Sequence, residues 1–239
     1  MRNLETWAPS KFVLERGRFM ASNNPNELSP GSRLFGDLVA SSDDTHLKNH
    51  CRGRLLDLGC GKVPFHALYR QYVSGTVCVD WSNSPHGDGH LDAECDLTKD
   101  LPFADASFDC ILLSDVLEHI PTPDRLWREM SRLLKPGGKL LLSVPFFYWL
   151  REPYDYYRYT HYALRRFAEA TGFEIILIKE LGGAPEILVD IFQNPSYGLA
   201  GSENGPRLHS RLSVEGWLPR LSEQEYQRGL RNTFISATS

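Results

Sequence analysis

The feature that most constrains this chain is the run Arg54-Leu-Leu-Asp-Leu-Gly-Cys-Gly61. An apolar stretch of strand length ends in an acid and passes straight into a Gly-x-Gly turn. Glycines there let the backbone approach a ligand closely and take φ values that other residues resist. Open α/β sheets bind ligands at the carboxyl ends of their strands, so the turn stands where a binding loop belongs. The surrounding pattern agrees. Apolar runs of strand length recur at 54–58, 76–80, 110–113, 139–144 and 174–179. Helical patterns lie between several of them. Pro64–Tyr72 is one, and Thr122–Leu134 is the clearest, with Thr122 as N-cap and Pro123 in the first turn. Its Leu126, Met130, Leu133 and Leu134 share a face, and Pro136-Gly137-Gly138 ends it. Thr160–Thr171 is capped by Thr160 and stopped by Gly172. Before the glycine turn, Ser32–His50 reads as a helix capped by Ser32, with Leu34, Phe35, Leu38 and Val39 on one face. Alternating β and α elements predict a parallel sheet with helices on both faces.

Residues Met1–Ala21 show no clear period, and Ser22–Gly31 reads as a loop. Leu181–Arg231 departs from the alternation: a short apolar helix candidate, Pro185–Phe192, precedes a Gly/Ser/Asn/Pro stretch, and Thr233–Ser239 is a candidate last strand. A length of 239 residues suits one full α/β domain with decorations. With 41% apolar and 23% charged residues the composition is globular rather than disordered. A net charge of -4 gives no general attraction to nucleic acid or to an anionic membrane. The five cysteines, Cys51, Cys60, Cys78, Cys95 and Cys110, are odd in number and lack zinc-ligand spacing. They are expected to be reduced core thiols of a cytoplasmic protein, with no metal. The N-terminal segment has no signal-peptide core. Leu140–Leu150 is too short for a bilayer core of roughly 30 Å and is interrupted by Pro145, so no membrane span is expected.

The turn itself narrows the ligand. A dinucleotide fingerprint requires Gly-x-Gly-x-x-Gly, and its third position is Pro64 here. Asp57, two residues before Gly59, is a poor neighbour for a pyrophosphate. It suits a ligand carrying an ammonium and a sulfonium, as S-adenosylmethionine does. Asp80 ends the next strand in Thr76-Val-Cys-Val-Asp80-Trp81, about 20 residues after the turn, where an acid accepts both ribose hydroxyls. Trp81 offers a flat apolar face for adenine. Alone, Asp80 is as readily a helix cap or a surface acid; the register with Asp57 and Gly59 favours the ribose role.

Two further motifs follow in order. One is Glu94-Cys-Asp96-Leu97 with Leu101-Pro-Phe-Ala-Asp-Ala-Ser-Phe-Asp109. The other is Ile111-Leu-Leu-Ser-Asp-Val-Leu-Glu-His119, then the capped helix, then Leu134-Lys-Pro-Gly-Gly-Lys-Leu-Leu-Leu142. With these the chain resembles the class I S-adenosylmethionine-dependent methyltransferases, in the type 11 group, over roughly Arg54–Lys179. The resemblance implies a Rossmann-like, doubly wound, seven-stranded sheet, mostly parallel with an antiparallel last strand. It divides the chain into an N-terminal cap segment (1–50), a methyltransferase core (51–180), and an insertion or lid with the last strand (181–239). It also implies roles. Asp57, Gly59, Cys60 and Gly61 line the methionine end, Asp80 holds the ribose, and Trp81 and Leu97 sandwich adenine. Asp96 receives the adenine amino group, and Ser114 touches the methionine moiety. His119 lies at the pocket floor in many relatives; a histidine packed on the following helix is the other reading. Many relatives have a glycine where this chain has Val63.

The stretch Phe146–His161 follows the fifth strand, where this fold places acceptor-binding residues, and resembles a segment of surface-glycan and small-molecule methylases. Glu152, Asp155, Tyr156, Arg158 and His161 are the acceptor-side candidates, with His119, His161, Glu152 and Asp155 as the candidate bases. An aromatic loop packed on the sheet edge, with Arg158 paired to Asp155 or Glu152, is the equally weighted alternative. The expected activity is methyl transfer from S-adenosylmethionine to a small-molecule or glycan acceptor. A non-catalytic S-adenosylmethionine-binding subunit or sensor is the rival. An NAD-dependent reductase is disfavoured by Pro64 and Asp57.

Overall fold

The computed structural model describes residues 1–82, 89–146, 154–183 and 232–238, with isolated positions at 185, 188 and 189. Strand β3 (Gly53–Leu58) is the axis of the molecule, because its alternate and successive side chains are buried on both faces. Such a strand must be covered by helices on both sides. It pairs in parallel with β4 (Val73–Asp80) on one side and β6 (Phe108–Ser114) on the other. A two-residue strand, β5 (Ala93–Glu94), extends the sheet beyond β4, and β7 (Leu134–Val144) lies beyond β6. β8 (Glu174–Leu181) does not touch β7. The final strand, β9 (Asn232–Thr238), inserts between them and runs antiparallel to both. The order is β5-β4-β3-β6-β7-β9-β8. The sheet is therefore mostly parallel, reversed where the chain returns for its last strand.

Two cores flank the sheet. On one face Leu56, Leu58, Ile111, Leu113, Leu140 and Leu142 meet α3 (Pro123–Leu133) and α4 (His161–Ala170). On the other face Leu55, Cys78, Cys110, Leu112 and Leu141 meet the N-terminal segment through Phe12, Phe19, Ala40 and Leu47. All five cysteines are buried and free.

Several local expectations need correction. Residues 1–21 hold a hairpin, β1 (Phe12–Glu15) and β2 (Arg18–Ala21), that the sequence pattern hid. Its turn is Arg16-Gly17, both at positive φ (51° and 77°), and an arginine in the place usually held by Asn or Asp masks the hairpin signal. The helix expected over 64–72 is a single turn, α2 (His66–Tyr69). Helix α1 (Arg33–His50) starts without a side-chain cap from Ser32. Its most buried face is Gly36, Ala40, Asp43 and Leu47, and Leu34, Phe35, Leu38 and Val39 are only half-buried. Thr122 makes no capping bond to α3, whereas Thr160 accepts one from the Ala163 amide. Pro136-Gly137-Gly138 falls inside β7, where the ladder slips from Phe108–Leu134 to Cys110–Lys139. The helix candidate 185–192 lies almost wholly outside the described residues.

Candidate functional site

The carboxyl ends of β3, β4 and β6 gather the first site residues. Gly59 has φ +66°, and a Cβ there would stand 2.5 Å from the Val116 side chain. Only glycine lets β3 turn so close to the segment that follows β6. The Gly59 and Cys60 amides donate to the Val79 carbonyl at 2.8 and 3.2 Å. The Gly61 amide donates to Asp80 Oδ2 at 2.9 Å, and the Trp81 amide donates to Oδ1 at 2.8 Å. Asp80 thus fixes the glycine turn from the neighbouring strand. A carboxylate oxygen carries two lone pairs and accepts more than one donor, the property a ribose diol requires.

Val63 stands where the resemblance implies a glycine. It sits at φ +53°, fully buried. A left-handed L-residue costs about 1–2 kcal/mol. Burial of a valine side chain contributes about 1.5–3 kcal/mol and offsets that strain.

Asp57 is buried and accepts a hydrogen bond from the Tyr69 hydroxyl at 3.0 Å. Burial pushes its carboxyl up to about 7, opposed by the Tyr69 bond and reinforced by Asp80. A buried acid so placed gains from a cationic ligand. The thiol of Cys60, against Cys78 and buried, is pushed far above its ordinary range, and its Sγ donates to Gly61 O at 3.9 Å. These residues fit S-adenosylmethionine: a ligand ammonium would restore the ionised form of Asp57, and Asp80 offers the ribose acceptors.

On the adenine side, Trp81 is exposed and meets Tyr154 edge to face at 6.0 Å. Leu97 is buried. Asp96 Oδ1 accepts from the Thr98 amide and hydroxyl, at 2.9 and 2.6 Å, and Oδ2 pairs with Lys99 at 3.1 Å. The Thr98 bonds hold Asp96 below the usual carboxylate range. Asp96 thus also caps its own turn. The Ser114 hydroxyl meets that of Ser143 on β7 at 2.9 Å.

The loop after β7 is tied to the turn after β6. Glu118 O accepts from the Tyr156 and Tyr157 amides at 2.8 and 3.3 Å. The Tyr159 hydroxyl donates to Leu117 O at 3.2 Å, and the Tyr157 hydroxyl donates to Pro121 O at 3.0 Å. His119 Nδ1 lies 3.4 Å from Tyr154 O. Arg158 holds Asp155 through both guanidinium nitrogens, and Asp155 is nearly buried. His161 opens α4 with its ring 4.0 Å from that of Tyr162, and among the described residues no hydrogen bond joins it to the other candidates. The structure thus brings Tyr154, Asp155, Tyr156, Arg158 and His119 together and leaves His161 apart. Glu152 lies outside the described residues. An open groove of about 780 Å³ beside this loop is lined by Thr98, Pro121, Arg125, Tyr157 and Phe167. None of the turn glycines lines it.

Three residues were passed over in the sequence. Glu118 stands in the same motif as His119 yet is the more buried of the two, and its Oε2 has no hydrogen-bond partner. Asp115 takes φ +52° directly after Ser114. Asp43 lies on the buried face of α1 with an unpartnered Oδ2. Asp115 and Glu118, as parts of a motif, carried a signal; nothing in the α1 sequence marks Asp43 as facing inward.

The comparisons agree with this geometry. A family model described as a methyltransferase domain matches residues 56–142. Over these residues the chain is similar to the class I S-adenosylmethionine-dependent methyltransferases. It is 42% identical over 158 residues to the ubiquinone/menaquinone biosynthesis C-methyltransferase UbiE of Legionella pneumophila, covering 62% of this chain and 54% of that protein. It is 42% identical over 150 residues to an uncharacterized methyltransferase of Mycobacterium avium, covering 56% and 58%. The chain thus spans about half the length of the curated relatives it matches. The fold is similar to that of the [4+2]-cyclase SpnF, with a TM-score of 0.58 and 21% identity over 85% of this chain and 83% of the other. The family implies S-adenosylmethionine as cofactor. Among the described residues no helix is long and apolar enough to cross a membrane.

Proposed function

We propose that this protein transfers the methyl group of S-adenosylmethionine to a small-molecule or glycan-type acceptor. The observation that carries the reading is the pair of buried acids at the glycine turn. Asp57 is poised near neutrality and Asp80 is locked to Gly61 and Trp81. When bound, the cofactor supplies a methyl group already activated on a sulfonium. The protein's part is then largely alignment. Asp80 orients the ribose, and Asp57 with the 59–61 turn holds the amino-acid end. Trp81 and Leu97 exclude water around adenine. The loop 154–159 stands on the acceptor side, where a base is needed only for an acceptor that arrives protonated.

The UbiE relatives suggest a quinol-type carbon as one acceptor. SpnF, a cyclase by name, illustrates that this fold also serves other chemistry.

Calorimetry should detect S-adenosylhomocysteine binding in the micromolar range, about -8 kcal/mol, and none of NAD. Asp80→Ala should weaken that binding by about 1.5–3 kcal/mol through loss of hydrogen bonds to a charged acceptor. Unchanged affinity in a folded Asp80→Ala variant, or NAD binding, would overturn the assignment.

A further inference from the structure

We propose that the protein binds a small phosphate-bearing anion in the cleft at the amino ends of β3, β6 and β7, at the opposite end of the sheet from the glycine turn. The cleft holds about 350 Å³, and its lining includes His50, Arg52, Asp109, Lys135, Lys139 and the turn 136–138. A pocket of this size accepts one small ligand. One wall is a bulge. The β6–β7 ladder passes from Phe108–Leu134 to Cys110–Lys139, so Asp109 alone stands against the four residues 135–138. Pro136 followed by Gly137 at φ +78° gives them the form of a type II turn. A Cβ on Gly138 would stand 2.8 Å from Lys135 O, so the turn closes tightly. Helix α1 ends at His50 and brings that ring to the cleft. The six residues of β3 span roughly 20 Å, so the cleft is separate from the site proposed for methyl transfer and does not rest on that reading.

Arg52, Lys135 and Lys139 line the cleft against one acid, Asp109. That acid is already engaged. Its Oδ1 accepts from Lys135 Nζ at 2.8 Å and its Oδ2 accepts from the Arg54 amide at 2.8 Å. Arg52 lies over the Tyr72 ring at 5.4 Å and donates to Cys51 O at 2.6 Å, and neither contact cancels its charge. Lys139 is half-buried, and its ammonium forms no ion pair among the described residues. Its row of the sheet runs Cys110, Lys139, Thr238, Glu174, which puts that glutamate two strands away, roughly 10 Å. Burial, then Lys139 and Arg52, hold the His50 imidazole below its ordinary value, so both cations act on the ring beside them. The carboxyl end of α1 offsets only roughly half a charge. Phosphate oxygens suit this excess: a guanidinium meets them as a fork and an ammonium as a point charge. The net charge of -4 and the small cleft favour a small ligand over a nucleic-acid backbone.

The test is calorimetry in dilute chloride buffer with pyrophosphate, fructose 1,6-bisphosphate and uncharged fructose. Pyrophosphate or the bisphosphate should bind with a Kd of about 1 mM or tighter, and fructose should not bind. Tighter binding of the bisphosphate assigns an organic phosphate; tighter binding of pyrophosphate assigns an inorganic one. Lys139→Gln and Arg52→Gln should each weaken binding at least fivefold. Arg165→Gln, at an exposed position of α4 on the other face of the sheet, should leave it within twofold. Amide NMR on the unsubstituted protein locates the site without any variant: the Gly137 and Gly138 signals should shift on titration while those of Gly59 and Gly61 stay in place. Failure of both phosphates to bind overturns the proposal, as does an equal loss in the Arg165 variant, which would mean diffuse surface attraction. Shifts confined to Gly59 and Gly61 also overturn it, assigning the anion to the glycine turn.

Discussion

At the end of β3, Asp57 is ionised with difficulty: burial lifts its carboxyl from 3.8 to about 7. A raised acid contributes its stability below the unfolded value and loses it as the pH climbs through the folded one. Between about pH 4 and pH 7 the cofactor-free protein should therefore lose up to about 4 kcal/mol from this group. Asp57→Asn retains an acceptor for the Tyr69 hydroxyl and removes the charge. It should raise the cofactor-free Tm by several degrees at pH 8 and change it little at pH 4, while weakening S-adenosylhomocysteine binding. A Tm that is the same at pH 8 in both proteins would mean that the ionised form carries no penalty. The turn's acids and glycines were readable in the sequence because spacing alone sets them at the end of a buried strand. The path through Val63 was not. Its left-handed φ is sustained by burial against residues distant in the chain, and no local rule favours a β-branched residue there.

The loop 154–160 is held as an element. Backbone and hydroxyl bonds pin it to residues 117–121, and the Arg158–Asp155 pair stiffens it from within. Both roles foreseen for Arg158 predict lost turnover, but they differ in stability. Removing one partner of a buried pair leaves the other charge uncompensated, at about 3–5 kcal/mol for full burial. Arg158 keeps 21% of its side chain exposed, so the expected loss for Arg158→Ala is about 1–3 kcal/mol. Melting curves should show it, and the double variant with Asp155→Asn should recover part of it. An unchanged Tm with turnover down tenfold would instead make Arg158 an acceptor contact. Helix α1 illustrates why the acceptor side was less legible. Its apolar residues suggested one buried face, but the buried side is the one carrying Gly36, Ala40 and Asp43, and Gly36 lies so close to Ala21 and Leu28 that only a small residue fits.

At the scale of the molecule, the sheet is closed by a strand from the far end of the chain. β9 pairs with β7 from Lys139 to Val144 and with β8 from Glu174 to Leu181. Deleting residues 232–239 removes both ladders and bares the edges of β7 and β8, which is an aggregation hazard. The shortened protein should sediment as aggregate or melt far below the full chain; a monomer of unchanged Tm would mean that β7 and β8 hold without β9. Periodicity, the Gly-x-Gly turn and the acids after β3 and β4 were fixed by the sequence itself, because each depends on neighbours within a few residues. The insertion of β9, the one-turn α2 and the Arg16-Gly17 hairpin depend on which surfaces remain to be covered once the sheet forms.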